Sequence, residues 1–150
     1  MATHQELFKS LITMVDWTIQ QQSKCIELKS GISILSWSKE YATIKFCVSR
    51  QSGHSNFAYR LLTEYFSNAV YISHNFSMLV DFRKKYNLCN LLKKRTVEIS
   101  KLTDLRGLGV FDSVIIDTAS LFSKTDEKKI YSYFVKDVMY SPKFCFIFLE

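Results

Sequence analysis

Apolar and polar residues change period several times along this chain, and those changes predict alternating helices and strands. Residues 3–22 carry Leu7, Leu11, Met14, Val15, Thr18 and Ile19 at helical spacing. Thr3 and Glu6 stand where a capping box would open that helix. Residues 25–28 and 32–37 read as extended segments on either side of a Lys29-Ser30-Gly31 turn, a short hairpin ahead of the main sheet. Residues 41–48 are a strand, and 54–66 a helix with Phe57, Ala58, Leu61, Leu62, Tyr65 and Phe66 on its apolar side. Residues 69–72 form a buried strand. A second amphipathic helix follows, with Phe76, Leu79, Val80, Phe82 and Tyr86 inward, then a short strand at 96–99. Residues 113–117, Ser-Val-Ile-Ile-Asp, are a continuous apolar run with one carboxylate at its end. A last helix starting at Ser123 or Thr125 stops at Pro142, and residues 144–149 are a final buried strand.

Continuous rather than alternating apolar strands are expected when both faces of a sheet are covered. The fold class is therefore α/β: three layers, a mostly parallel sheet of about five strands with helices on both faces, plus an N-terminal helix and hairpin. Residues 1–40 form the extension and 41–150 the core, one compact domain overall.

Composition fits a folded domain, with 47% hydrophobic and 15% aromatic residues. The charge of +6 and pI near 9.1 suit an anionic partner, nucleic acid or an acidic protein face, and equally a solvated basic surface. Four widely spaced cysteines include no C-x-x-C pair, which points to reduced thiols without zinc. The N-terminal residues lack the apolar core of a signal peptide, and no apolar run is long enough to span a bilayer, so the expected setting is cytoplasmic with no membrane. No order of Ser, His and Asp suggests a nucleophile elbow, and no His/Cys/Asp set has metal-ligand spacing. The acidic residues are too scattered to nominate a two-metal nuclease, although Asp104, Asp112 and Asp117 lie close enough in sequence for their geometry to matter.

The stretch richest in chemistry is 44–58, IKFCVSRQSGHSNFA. A strand, a glycine turn and a helix in that order make a phosphate-binding layout: the glycine admits backbone N–H groups to phosphate oxygens, and the helix N-terminus adds partial positive charge. Against G-x-x-x-x-G-K-[ST], Gly53 and Ser55 keep the second glycine and the hydroxyl, while Val48 replaces the first glycine and His54 the lysine. Asp117 ends an apolar strand where a carboxylate points into a ligand crevice.

Together, SRQSGHSNFA and FDSVIIDTAS resemble the phosphate loop and acidic strand, Walker A and Walker B, of terminase large subunits and related helicase-like ATPases. The resemblance covers about residues 41–149. It implies a P-loop NTPase fold, a phage origin, ATP with magnesium as cofactor, and a nucleotide site made by Arg50, Gln51, Ser52, Gly53, His54 and Ser55 with Asp117 and Thr118 as the acidic-strand pair. Magnesium would fall to Ser55 and Asp117. The 71–75 strand and turn, with His74 and Asn75, sits where such proteins contact a nucleic-acid backbone, and Lys84, Lys85, Lys93, Lys94 and Arg95 add a basic cluster.

His54 and Thr118 stand in place of the lysine that neutralises phosphate charge and the carboxylate that polarises water, so hydrolysis should fall by orders of magnitude. The expectation is a non-hydrolytic relative acting as a regulatory or interaction factor on nucleic acid or a nucleic-acid-processing complex. A weakly active ATPase, and an inhibitor or assembly factor binding a host protein, are the alternatives. Each residue also has a plain structural role open to it: His54 as an unliganded helix opener, Asp117 as a strand-end acceptor, Asn75 as an N-cap, Arg50 and the lysines as solvated surface.

Overall fold

The structure, a computed structural model, describes residues 3–47, 54–141 and 143–150. Helix α1 (His4–Lys24) starts at Thr3, whose side chain accepts the Glu6 N–H while the Glu6 carboxylate accepts the Thr3 N–H, the expected capping box. Phe8, Leu11 and Val15 form its buried stripe. The expected hairpin is absent. Residues Ile26–Ser30 form a 3-10 turn, and Ile34–Tyr41 is helix α2. Ser33 caps α2 by accepting the Ser36 N–H, and Trp37 and Ser38 are buried beside half-buried Ile34 and Tyr41, an i, i+3, i+4, i+7 stripe. The six residues 32–37, Ile-Ser-Ile-Leu-Ser-Trp, also fit a strand, which is why the apolar run misled.

The first strand is accordingly shorter than 41–48: β1 is Thr43–Phe46, and Val48 lies outside the described residues. Helix α3 (His54–Arg60) runs into a π-turn at Leu61–Tyr65. Strand β2 (Ala69–Ser73) leads to α4 (Phe76–Lys85), then α5 (Asn90–Lys93) and β3 (Thr96–Glu98). Phe76 is 56% exposed, against the inward position expected for it, because it opens α4 at the rim of the sheet. After a 3-10 segment at Ile99–Leu105, Gly107 and Gly109 both take positive φ in the turn toward β4 (Ser113–Ile116). Ser123 caps α6 (Lys124–Tyr133), α7 is Val135–Tyr140, and β5 is Cys145–Leu149. Pro142 is outside the described residues.

The five strands form one sheet in the order β1-β5-β4-β2-β3, every pair parallel. Strands β2, β4 and β5 are buried at every residue, as a sheet covered on both faces requires. Side chains alternate between two cores. Tyr71, Ile115, Cys145 and Ile147 meet α1, α3 and α4 on one face; Val70, Val114, Ile116, Phe146 and Phe148 meet α2, α6 and α7 on the other. Residues of the first forty thus enter both cores. Burial pushes the Cys145 thiol up to about 12, so it acts as a small apolar residue in the first core. Among the described residues no helix is long and apolar enough to cross a membrane.

Candidate functional site

Because all strands run the same way, the loop after β1, the Asp117 turn after β4 and the Ser73-His74-Asn75 turn after β2 all leave from one edge. The chain leaves β1 in one direction, past β5 and β4, to reach β2; it leaves β4 in the opposite direction to reach β5. The first connection uses α3 on one face and the second uses α6 and α7 on the other, and in open parallel sheets ligands bind at the carboxyl ends of the strands where connections part to opposite faces. Arg50, Gln51, Ser52 and Gly53 lie outside the described residues, and His54 opens α3.

Ser55, in the first turn of α3, reaches across the end of β5 to Asp117: its Oγ donates to Asp117 Oδ2 at 3.0 Å, joining residues 62 apart in sequence. Asp117 is 1% exposed. The same Oδ2 accepts the Tyr71 hydroxyl at 2.7 Å, and Thr118 Oγ1 donates to Oδ1 at 3.3 Å. The backbone N–H of Asp117 is bonded to the Ile72 carbonyl at 3.2 Å, which fixes the turn. Three hydroxyls thus face one carboxylate, the arrangement by which a buried acceptor is satisfied without a cation. Tyr71 stacks on Phe82 with ring centroids 3.8 Å apart and planes 7° apart. Burial and the adjacent Asp117 carboxylate hold its phenol well above the ordinary range, so it remains a donor. Sequence reasoning missed Tyr71: within an apolar strand it reads as core, and the only signal was its place two residues before the rim on the face that α3 and α4 cover.

Thr118 adopts φ 50° and ψ 55°, the left-handed region. For a β-branched residue this conformation is strained by about 1–2 kcal/mol. Thr118→Asn, better suited to that backbone, should raise the melting temperature by about 2–4 °C, whereas Thr118→Val, which keeps the branch and loses the hydroxyl, should lower it. Equal melting points for the three proteins would contradict the strain.

The other expected residues divide between this edge and the far one. Asn75 caps α4 by accepting the Met78 N–H at 2.9 Å, and half-buried His74 sets its ring edge-on to Phe122 at 5.4 Å. Lys84, Lys85, Lys93, Lys94 and Arg95 lie where α4 has returned to the amino-terminal edge and β3 begins. Arg95 there donates to the carbonyls of Ser67 at 3.3 Å and Ala69 at 3.2 Å, holding the start of β2. Asp112 and Asp117 flank β4 at opposite ends, roughly 16 Å apart at strand rise, so they share no metal pair. Among the described residues no group of three or more His, Cys, Asp or Glu gathers around one point. Ser55 and Asp117 supply hard oxygen donors at one spot, a set that fits magnesium held mainly by phosphate oxygens and water and does not fit a metal caged by protein alone. Gln22, the last of three consecutive glutamines at 20–22, is buried and donates to the Phe144 carbonyl at 2.6 Å, tying α1 to the start of β5.

Comparisons of the chain with family models, curated proteins and solved structures found no match.

Proposed function

We propose that the chain is a catalytically degenerate P-loop ATPase-like protein that binds a nucleotide at the carboxyl edge of its sheet and acts as a regulatory or interaction factor on nucleic acid or on a complex that processes it. The observation that carries this reading is the Ser55–Asp117 hydrogen bond. It joins the hydroxyl of the strand-turn-helix segment to the carboxylate of the apolar strand, at the carboxyl edge of the parallel sheet where the order of connections reverses. A nucleotide phosphate with magnesium would take Ser55 Oγ and Asp117 Oδ2 as ligands, displacing their mutual bond.

The loss of hydrolysis rests on His54 and Thr118. Neutral imidazole brings one donor and no full charge to the phosphates, and a threonine hydroxyl cannot polarise water as a carboxylate does. The left-handed backbone at Thr118 supports the same conclusion, because it aims the side chain differently from an ordinary strand continuation.

Thermal melting with and without magnesium ATP, read beside phosphate release, tests the proposal. A ligand at about 100 times its dissociation constant stabilises by about 2.7 kcal/mol, several degrees for a chain of this size. The expected result is that shift with phosphate release at background; release that Asp117→Ala abolishes would make the protein an active ATPase instead.

A further inference from the structure

We propose that a groove between α2 and α6, over the outer part of the sheet, binds the phosphate backbone of single-stranded nucleic acid. Four lysines from three elements converge on a cleft of about 570 Å³: Lys39 of α2, Lys45 of β1, and Lys124 and Lys128 of α6. All four are exposed, and Glu127 is the one carboxylate among the residues that line it. Two of the ammonium groups are held over rings, Lys39 at 5.9 Å from the centroid of Tyr131 and Lys45 at 5.8 Å from that of Phe148. That contact orders them at little cost in hydration.

The floor favours a phosphate chain over a peptide. Thr43 and Tyr131 face each other with their hydroxyl oxygens 2.9 Å apart, Tyr131 and Phe148 are buried, and half-buried Leu35 is the one aliphatic side chain in the lining, so the groove offers a peptide little apolar purchase and a base no exposed ring on which to stack. What remains is a row of point charges, the equipment for sequence-independent backbone binding. A cleft of about 570 Å³ with four charges suits a short stretch of flexible single strand, which can follow it as a rigid duplex cannot.

The rival basic region, around α4 and β3 at the opposite side of the sheet, is half neutralised. Its cleft gathers Arg83, Lys93, Lys94 and Lys101, but also Glu98, which pairs with Lys101 at 3.8 Å, and Asp104. Arg83 there is committed to the carbonyls of Lys93 at 3.1 Å and Thr96 at 2.8 Å. The α2/α6 groove also runs from Thr43 to Lys45 along β1 and reaches Lys124 at the start of α6, so a strand in it would approach the carboxyl edge of the sheet. This inference rests on the nucleic-acid part of the proposed function and not on nucleotide binding, which is measured separately.

The test is fluorescence anisotropy with a labelled oligothymidylate of about twenty nucleotides, titrated between about 20 and 200 mM salt. Four lysines displacing counterions from a single strand predict a log–log salt slope of about −3. Lys45→Glu with Lys128→Glu should weaken binding at least about tenfold at low salt, while the charge-matched Lys9→Glu with Lys24→Glu on α1 should stay within about twofold. Unchanged affinity in the groove variant, loss of affinity in Lys84→Glu with Lys85→Glu, tighter binding of a polyglutamate peptide than of the oligonucleotide, or no binding at low salt would each overturn the proposal.

Discussion

Asp117→Ala should lower the melting temperature by about 5–10 °C, a cost of about 2–3 kcal/mol for a domain of this size. The reason is the hydroxyls left behind. The Tyr71 hydroxyl is buried under α3 and α4 and has Asp117 as its acceptor, so truncation strands a buried donor and opens a small void beside it. Ser55 and Thr118 are half-buried and can turn to water, so their loss adds little. Tyr71→Phe removes the donor itself and should cost less than Asp117→Ala. The double variant should then be clearly more stable than the sum of the two single changes predicts, the mark of a direct coupling. Differential scanning calorimetry on the four proteins measures this. Additive effects, or a melting point in Asp117→Ala equal to that of the wild type, would mean that the carboxylate does not organise this edge.

His54→Lys combined with Thr118→Glu should raise ATP turnover at least about tenfold over the wild type, since it returns a full charge to the phosphates and a carboxylate to the water position. The gain should fall well short of a complete enzyme. Glutamate at position 118 must occupy the left-handed backbone that threonine now takes, and this costs about 1–2 kcal/mol and misaims the carboxylate. Adding Asp117→Ala to the pair should abolish the gain, because magnesium would lose its protein carboxylate. Steady-state phosphate release resolves these outcomes. Wild-type turnover equal to that of the double variant, and lost in Asp117→Ala, would show that His54 and Thr118 already serve a working ATPase.

Much of the architecture was legible because its strands are buried on both faces. Continuous apolar runs at 69–72, 113–117 and 144–149, each bounded by polar turns, leave few readings in a chain with amphipathic stretches between them, and the parallel sheet follows. The Thr3 capping box was equally explicit, and Ser123 was one of the two starts read for the last helix. What failed was residues 25–41, where a short apolar run satisfies both periods; the Ser33 cap ahead of Ile34 was the overlooked signal. Ser55 and Asp117 drew notice as parts of two separate motifs, expected to share a magnesium ion and found bonded to each other, whereas Tyr71, which joins them, carried no chemical label in the sequence. The lysine groove was hidden for a different reason. Contiguous runs such as Lys93-Lys94-Arg95 draw attention, yet Lys39, Lys45, Lys124 and Lys128 become neighbours only after α2, β1 and α6 pack together.

The most direct measurement is a titration of the protein with a fluorescent ATP analogue in the presence of magnesium, repeated on Ser55→Ala and on the Lys45→Glu, Lys128→Glu variant. The account predicts saturable binding below about 1 mM, weakened at least about tenfold by Ser55→Ala and left intact by the groove substitutions. Absence of saturation in the wild type, or binding indifferent to Ser55 and lost with the lysines, would contradict it.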